Sequence, residues 1–423
     1  MSNFLVETLL NKNNQRKDLI LFNISSVHLF WLVWFSLCLL PVLYDNKFSA
    51  NYLIFFTPLI YLFVNGRLIN TNSQILSFYI VISIIIFIIA TAYQTQFYNY
   101  IDRRLISFII FLTQFSLIFI KFTERMKKSF LLSVLLSSIC YSIFVLYELG
   151  KIDDYHPSII KDLIGSQRTG IIHFFSLFIC CYLILNYRLT GFARLIVYIS
   201  LLSSIFGLVT TFSRATYISI FISLSWTFLV VISEKWRYLS FWKNSVIYIA
   251  LIFFVIASVL ILYPSIIVFI YDRLVGLIID GVFFTRFESF DTSEGLRLYI
   301  WKDILEFLYN NPFTGTGYLG SWVISDATTS SHNDFFDRLG RTGFVSFLIY
   351  IYILFLLYRF LFKFYFYLWI PFVACLVYGM MHETFSQSPG TVIFAYLLML
   401  YSNSKFNSAF HSSYLKANNK IRL

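Results

Sequence analysis

The sequence predicts an all-α polytopic membrane protein with about twelve membrane-spanning helices and one large outer loop at residues 264–342. Three observations lead there. Charged residues make up only 13 % of the chain, too few to cover the surface of a soluble protein of this size, while 59 % are hydrophobic. The apolar residues come in blocks long enough to cross a bilayer, which takes about 20 residues of helix. Aromatic residues are abundant, with 50 Phe and 30 Tyr. Phe suits lipid-facing and packed surfaces, and Tyr suits the interface.

Spans are read at about 24–44, 50–66, 75–93, 105–122, 129–149, 171–187, 193–211, 215–233, 244–263, 343–361, 367–382 and 388–402. The chain then divides into an N-terminal membrane domain of nine helices (1–263), the outer loop as a cap (264–342), three C-terminal membrane helices (343–402) and a tail (403–423). The first ~23 residues are polar and basic and lack the apolar core and cleavage site of a signal peptide, so the first span is expected to serve as the targeting signal.

Orientation follows from Lys and Arg. With the N-terminus inside, 19 of the 32 lie in inner segments, seven in short outer loops and six in the large loop. Short loops set topology, whereas long loops translocate largely regardless of charge. Both termini are therefore expected in the cytoplasm. The net charge of +11 reflects these topogenic loops, and nucleic acid is not an expected partner; the lipid bilayer is. The five cysteines all fall in apolar spans, which disfavours disulfides and metal clusters. No metal-ligand spacing or nucleotide-binding loop is present, so neither metal nor cofactor is expected.

The outer loop holds ten of the chain's 21 acidic residues. Within it, Leu296, Ile300, Ile304 and Leu308 recur at helical spacing, predicting an amphipathic helix that Asn310-Asn311-Pro312 ends. The loop is thus a structured cap on the bilayer. Gly315-Thr-Gly317 reads as a turn and not as a phosphate loop.

Outer arginines run against the positive-inside trend. Arg214 sits in a link of about three residues between two spans, which confines it at membrane level, where charge needs a partner. Arg168 precedes the sixth span, and Arg338 and Arg341 precede the tenth. The sixth, eighth and tenth spans all start on the outside. Helix N-termini bind anions through unpaired N–H groups, and Arg adds bidentate contacts to phosphate oxygens. Arg297 lies on the buried edge of the amphipathic helix with Trp301, Ile304 and Leu308. These arginines define a candidate pyrophosphate site at the outer surface; pairing with loop carboxylates or lipid headgroups is the plainer alternative for each. His332, followed by Asn333-Asp334, is the candidate for proton transfer, with Asp334 or Asp337 to orient it. A loop histidine is more often merely solvated. His382-Glu383, at the outer end of the eleventh span, is a weaker second candidate. The spans carry almost no ionisable residue at mid-depth, which argues against an ion-coupled transporter.

The segment His332-Asn333, then Gly343-Phe-Val-Ser346, resembles the histidine signature of bacterial O-antigen ligases, with Ser346 departing at its last position; the polymerases of the same superfamily have a looser version. Phe212-Ser-Arg-Ala-Thr, Arg297-Leu-Tyr-Ile-Trp with Asn311-Pro-Phe-Thr-Gly-Thr-Gly317, and Arg168-Thr-Gly170 resemble further superfamily segments. The resemblance covers roughly 165–400 and implies a GT-C-like, metal-independent, inverting glycosyltransferase in the bacterial inner membrane, with its active site in the periplasm. The implied donor is an oligosaccharide on undecaprenyl pyrophosphate. The acceptor is another lipid-linked repeat in a polymerase, or lipid A-core in a ligase. Ser346 and the Asn-Asp after the histidine favour the polymerase. The resemblance implies Arg214, Arg297 and His332 as catalytic, and Arg168, Arg341, Asn333 and Arg338 as substrate-binding. A polysaccharide chain-length regulator stays open as a further partner. A lipid-linked glycan flippase is the non-enzyme alternative; it would need arginines along a path across the membrane.

Overall fold

The computed structural model describes residues 29–40, 123–149, 166–187, 189–210, 214–235, 293–316, 331–382 and 389–404, with residues 81, 85, 120, 324, 384 and 385. Side chains at 148–149, 166–168, 214, 231–235 and 293–294 are outside this description. The expected spans at 50–66, 75–93, 105–122 and 244–263 fall almost wholly outside it, as do most of the loop before residue 293, the tail beyond 404 and Glu383.

The described regular structure is helical. The helices are α1 (Leu29–Leu39), α2 (Glu124–Leu149), α3 (Ser166–Asn186), α4 (Gly191–Thr210), α5 (Arg214–Lys235), α6 (Ser293–Asn310), α7 (Asp334–Phe364), α8 (Phe366–Gly379) and α9 (389–404). Among the described residues, four helices, α2, α3, α4 and α7, are long and apolar enough to cross a membrane. Shorter apolar helices or segments lie in α1, α5 and α8. This is the architecture of a polytopic membrane protein. The chain forms two compact units: α1–α4 lie in one and α5–α9 in the other.

In the first unit α2 packs against α1, α3 and α4. Lipid tails are as apolar as leucine, so burying apolar surface does little to join helices in a bilayer. Small residues and interhelical hydrogen bonds do more. Ser133 Oγ donates to Leu32 O at 3.1 Å and Tyr141 OH to Leu39 O at 3.0 Å, joining α2 to α1. Ser142 Oγ donates to Ser203 O at 2.8 Å, and Ser200 Oγ to Leu135 O at 3.2 Å, joining α2 to α4. At the junction of three helices, Ser138 Oγ lies 2.9 Å from His173 Nδ1 of α3 and 3.0 Å from Ser204 Oγ of α4. The sequence reading passed over this buried histidine, since nothing local marks its partners.

Gly207 of α4 makes room for it. A Cβ there would overlap the His173 ring. Gly207→Val is therefore expected to force the imidazole out of the junction, at about 1–3 kcal/mol for overpacking and about 0.6–1.7 kcal/mol for a lost interhelical hydrogen bond. A thermal-aggregation midpoint in detergent should drop by several degrees; an unchanged midpoint would show that the glycine is not needed.

In the second unit α8 packs against α5 and α7, and α6 packs against α7. Ala215, Thr216, Ser219 and Ser223 give α5 a buried small-residue face. Trp226 Nε1 on the same helix donates to Tyr358 OH of α7 at 3.0 Å. Nearly all of α9 is buried, with Phe394 against Tyr350 and Phe385.

The amphipathic stripe expected at Leu296–Leu308 is present. Ile300, Ile304 and Leu308 form a core with Leu339 of α7, flanked by Leu296, Ile324, Phe336 and Phe347. The stripe thus finds its apolar partner in α7. The helix ends at Asn310, and residues 312–316 form the expected turn.

The tenth span starts earlier than hydropathy places it. Asn333 caps α7, its Oδ1 accepting from Phe335 N at 2.9 Å and Phe336 N at 3.1 Å. The first turns carry buried Asp334, Asp337 and Arg338, charged residues that read as loop. Gly343, at φ 70° and ψ 177°, breaks the helix before it resumes. The 312–316 turn docks into this break: Thr316 N–H donates to Gly340 O and Phe344 N–H to Pro312 O, each at 2.8 Å.

Candidate functional site

The geometry assembles at the start of α7. His332 stands just before the cap, half-buried, with φ 49°. It is the sole non-glycine residue with positive φ among the described residues. That conformation costs about 1–2 kcal/mol for a side chain with a Cβ, so the surroundings must hold it. On one side Trp301 of α6 does so: its Nε1 donates to Ser331 O at 2.9 Å, and its ring stacks on Phe336 at 4.8 Å and 6°. On the other side Asn333 Nδ2 donates to Met380 O at 2.9 Å, tying the segment to the end of α8.

Arg297 lies one turn before Trp301 on α6, partly buried, as the stripe pattern predicts. It is near enough for its charge to act on His332. Burial lowers the pKa of His332 below its usual 6.5, and the Arg297 cation lowers it further. The histidine is therefore held neutral, able to accept a proton, beside a cation able to bind an anion.

The other sequence-predicted residues divide. Asn333 is buried, and its amide serves the helix cap and the Met380 carbonyl. Arg341 Nε donates to both Asp337 oxygens, at 2.7 and 2.8 Å. Arg338 is buried with its guanidinium 5.2 Å from the Tyr350 ring centre, within cation–π range. Asp334 accepts from Tyr350 OH at 2.9 Å and from Phe385 N–H at 3.2 Å. The carboxylates expected to orient His332 thus hold the helix start. Arg168 and Arg214 stand in the first turns of α3 and α5, and their side chains lie outside the described residues. His382, the weaker second candidate, stands beside His332 with the ring centres 6.2 Å apart, a proximity the sequence does not show.

A half-buried histidine at the start of a helix long and apolar enough to cross a membrane, beside an arginine on the amphipathic helix packed against it, places a proton acceptor next to an anion-binding cation. Residues 198–351 match the family model described as O-antigen ligase. The match runs from α4 to the middle of α7 and takes in Arg214, Arg297 and His332. It supports the resemblance to the O-antigen polymerase and ligase superfamily over that stretch. No curated protein matches the chain.

Proposed function

We propose that the chain is an O-antigen polymerase of the inner membrane. It transfers a glycan from undecaprenyl pyrophosphate to the terminal sugar of another lipid-linked repeat unit at the periplasmic face. The observation that carries this is the pairing of Arg297 with a neutral His332 on two elements locked together by Trp301. In the reaction the acceptor hydroxyl oxygen attacks the anomeric carbon of the donor, and the bond from that carbon to the phosphate oxygen breaks. The hydroxyl proton passes to His332. Arg297, with Arg214, takes the charge of the departing undecaprenyl pyrophosphate.

The two groups support each other through charge. Without donor, the Arg297 cation disfavours an imidazolium at His332. A bound pyrophosphate compensates that cation and so raises the basicity of His332 when the base is needed. The site thus gains proton affinity on binding its anionic donor. No metal has a part in this scheme, and both termini are assigned to the cytoplasm.

The second reading is an O-antigen ligase, favoured by the description of the matching family. The chemistry is the same and the acceptor is lipid A-core. A gel of the deletion strain separates the two. Loss of a polymerase leaves core bearing one repeat. Loss of a ligase leaves bare core and accumulated lipid-linked polymer, an outcome that would replace the first reading by the second. Normal long-chain glycan would refute both.

A further inference from the structure

His382 lies in the turn that follows α8, buried to 7 % exposure. Its ring meets that of His332 edge-on, with centres 6.2 Å apart and planes at 85°. Tyr378, one turn back on α8, supports it from behind at 5.0 Å. Two ties fix the register of the paired segments. Asn333 Nδ2 donates to Met380 O at 2.9 Å, and Phe385 N–H donates to Asp334 Oδ1 at 3.2 Å. His382 lies between Met380 and Phe385, and His332 directly precedes Asn333 and Asp334, so the two ties clamp the paired segments together beside the rings.

That clamp accompanies a strained residue. His332 has a left-handed backbone, φ 49°, which aims its side chain in a direction the neighbouring helical residues do not share. A ring so placed needs a wall to fix its rotamer. The adjacent carboxylates are engaged with Tyr350, Phe385 and Arg341. Arg297 on α6, whose charge acts on His332, is a cation and cannot accept a proton from it. The group packed against the ring from the α8 side is His382.

We propose that His382 is a positioning residue for His332: its buried ring sets the direction of the His332 imidazole and shields one face of it from water, so that a His332 nitrogen points at the acceptor hydroxyl. The proposal rests on the reading of His332 as the group that receives the acceptor proton. A misplacement of about 1 Å at such a group costs on the order of 100-fold in rate, so a wall alone has a large kinetic effect.

The charged and titratable groups around His332 in the described structure are Arg297 on α6, Asp334, Asp337 and Arg338 on the first turns of α7, and His382 on the turn after α8. Of these, Arg297 acts on its protonation directly, after burial. Transfer that needs neutral His332 rises with pH along an acid limb below 6.5. Opening one face of the ring to water relieves part of the burial effect. The proton affinity of His332 then rises, and the limb moves up toward 6.5.

The test uses the full-length protein in detergent or nanodiscs with a lipid-linked oligosaccharide donor, and three variants. His332→Ala is expected to lose transfer. His382→Ala is expected to lower kcat about 10- to 100-fold, to leave KM within about threefold and to shift the acid limb upward. His382→Gln, which restores bulk and polar atoms, should recover part of kcat. Wild-type kcat in His382→Ala, with His332→Ala inactive, overturns the proposal and spares the reading beneath it. A fall in kcat with an unmoved acid limb also overturns it, since a merely structural residue would behave so. If His382→Ala does not fold, the limb is read in His382→Gln, where no displacement is the overturning result. Full activity in His332→Ala refutes the reading of His332 itself.

Discussion

Replacing His332 with alanine is expected to lower glycosyl transfer by about 10²–10⁴-fold, the usual contribution of a positioned acid–base group, with protein level unchanged. The side chain is half-buried and its removal leaves the cap and the Trp301 contact in place, because those run through Asn333 and the Ser331 carbonyl. Arg297→Ala should fall by a comparable factor, since one donor to a developing oxyanion contributes about 10²–10³ in kcat. Arg297→Lys keeps the charge but loses the fork that grips two phosphate oxygens, so it should recover little. The readout is long-chain glycan on a gel, with the protein quantified in the membrane fraction. Normal chains from both alanine variants would refute the site. The pH dependence follows from the same pair. Burial and Arg297 both hold the pKa of His332 below 6.5, so activity should be flat through neutral pH and fall only below about 6.5, as the base is protonated. A profile still rising above pH 7 would contradict a base held neutral in this way.

The sequence showed this site through its chemistry and hid it through its geometry. Arg297 was legible because the i, i+4 stripe from Leu296 to Leu308 fixes which edge of α6 is buried, and Arg297 with Trp301 falls on that edge. His332 was legible from its motif. The start of α7 was not, since Asp334, Asp337 and Arg338 look like loop residues by hydropathy. They are buried because each has a partner: the Tyr350 hydroxyl, the Arg341 guanidinium and the Tyr350 ring face. Asn333 reads as a substrate-binding residue of the motif, and its amide bonds are those of a helix cap and of the tie to Met380. His382 reads as a remote, weaker candidate because no local pattern reports that α7 and α8 fold back on each other. The hairpin at Tyr365 and the Asn333–Met380 and Phe385–Asp334 bonds bring the two histidines together. His173 escaped notice for the same reason. Its partners Ser138 and Ser204 stand on two other helices.

Gly343→Ala is expected to disable the protein through the fold of the site, without touching a charged group. At φ 70° and ψ 177° the residue sits in a region open essentially to glycine alone. A Cβ there would also stand 2.6 Å from the Phe313 carbonyl carbon and oxygen and 2.8 Å from the Pro312 oxygen. Backbone strain of about 1–3 kcal/mol adds to an overpacking cost of about 1–3 kcal/mol. Relief requires the 312–316 turn to leave the break in α7, which gives up the bonds from Phe344 N–H to Pro312 O and from Thr316 N–H to Gly340 O. Because that turn is the C-terminal anchor of α6, its release also loosens the register of Arg297 against His332. The expected result is a thermal midpoint lowered by several degrees in detergent, with transfer reduced more than the remaining folded fraction explains. Phe344→Ala is the control, since that side chain is 43 % exposed and the residue's bond to the turn runs through its backbone N–H; it should retain both stability and activity. Wild-type stability and transfer in Gly343→Ala would mean that the α6–α7 junction does not hold the site, and that the glycine of the histidine motif serves some purpose other than backbone geometry.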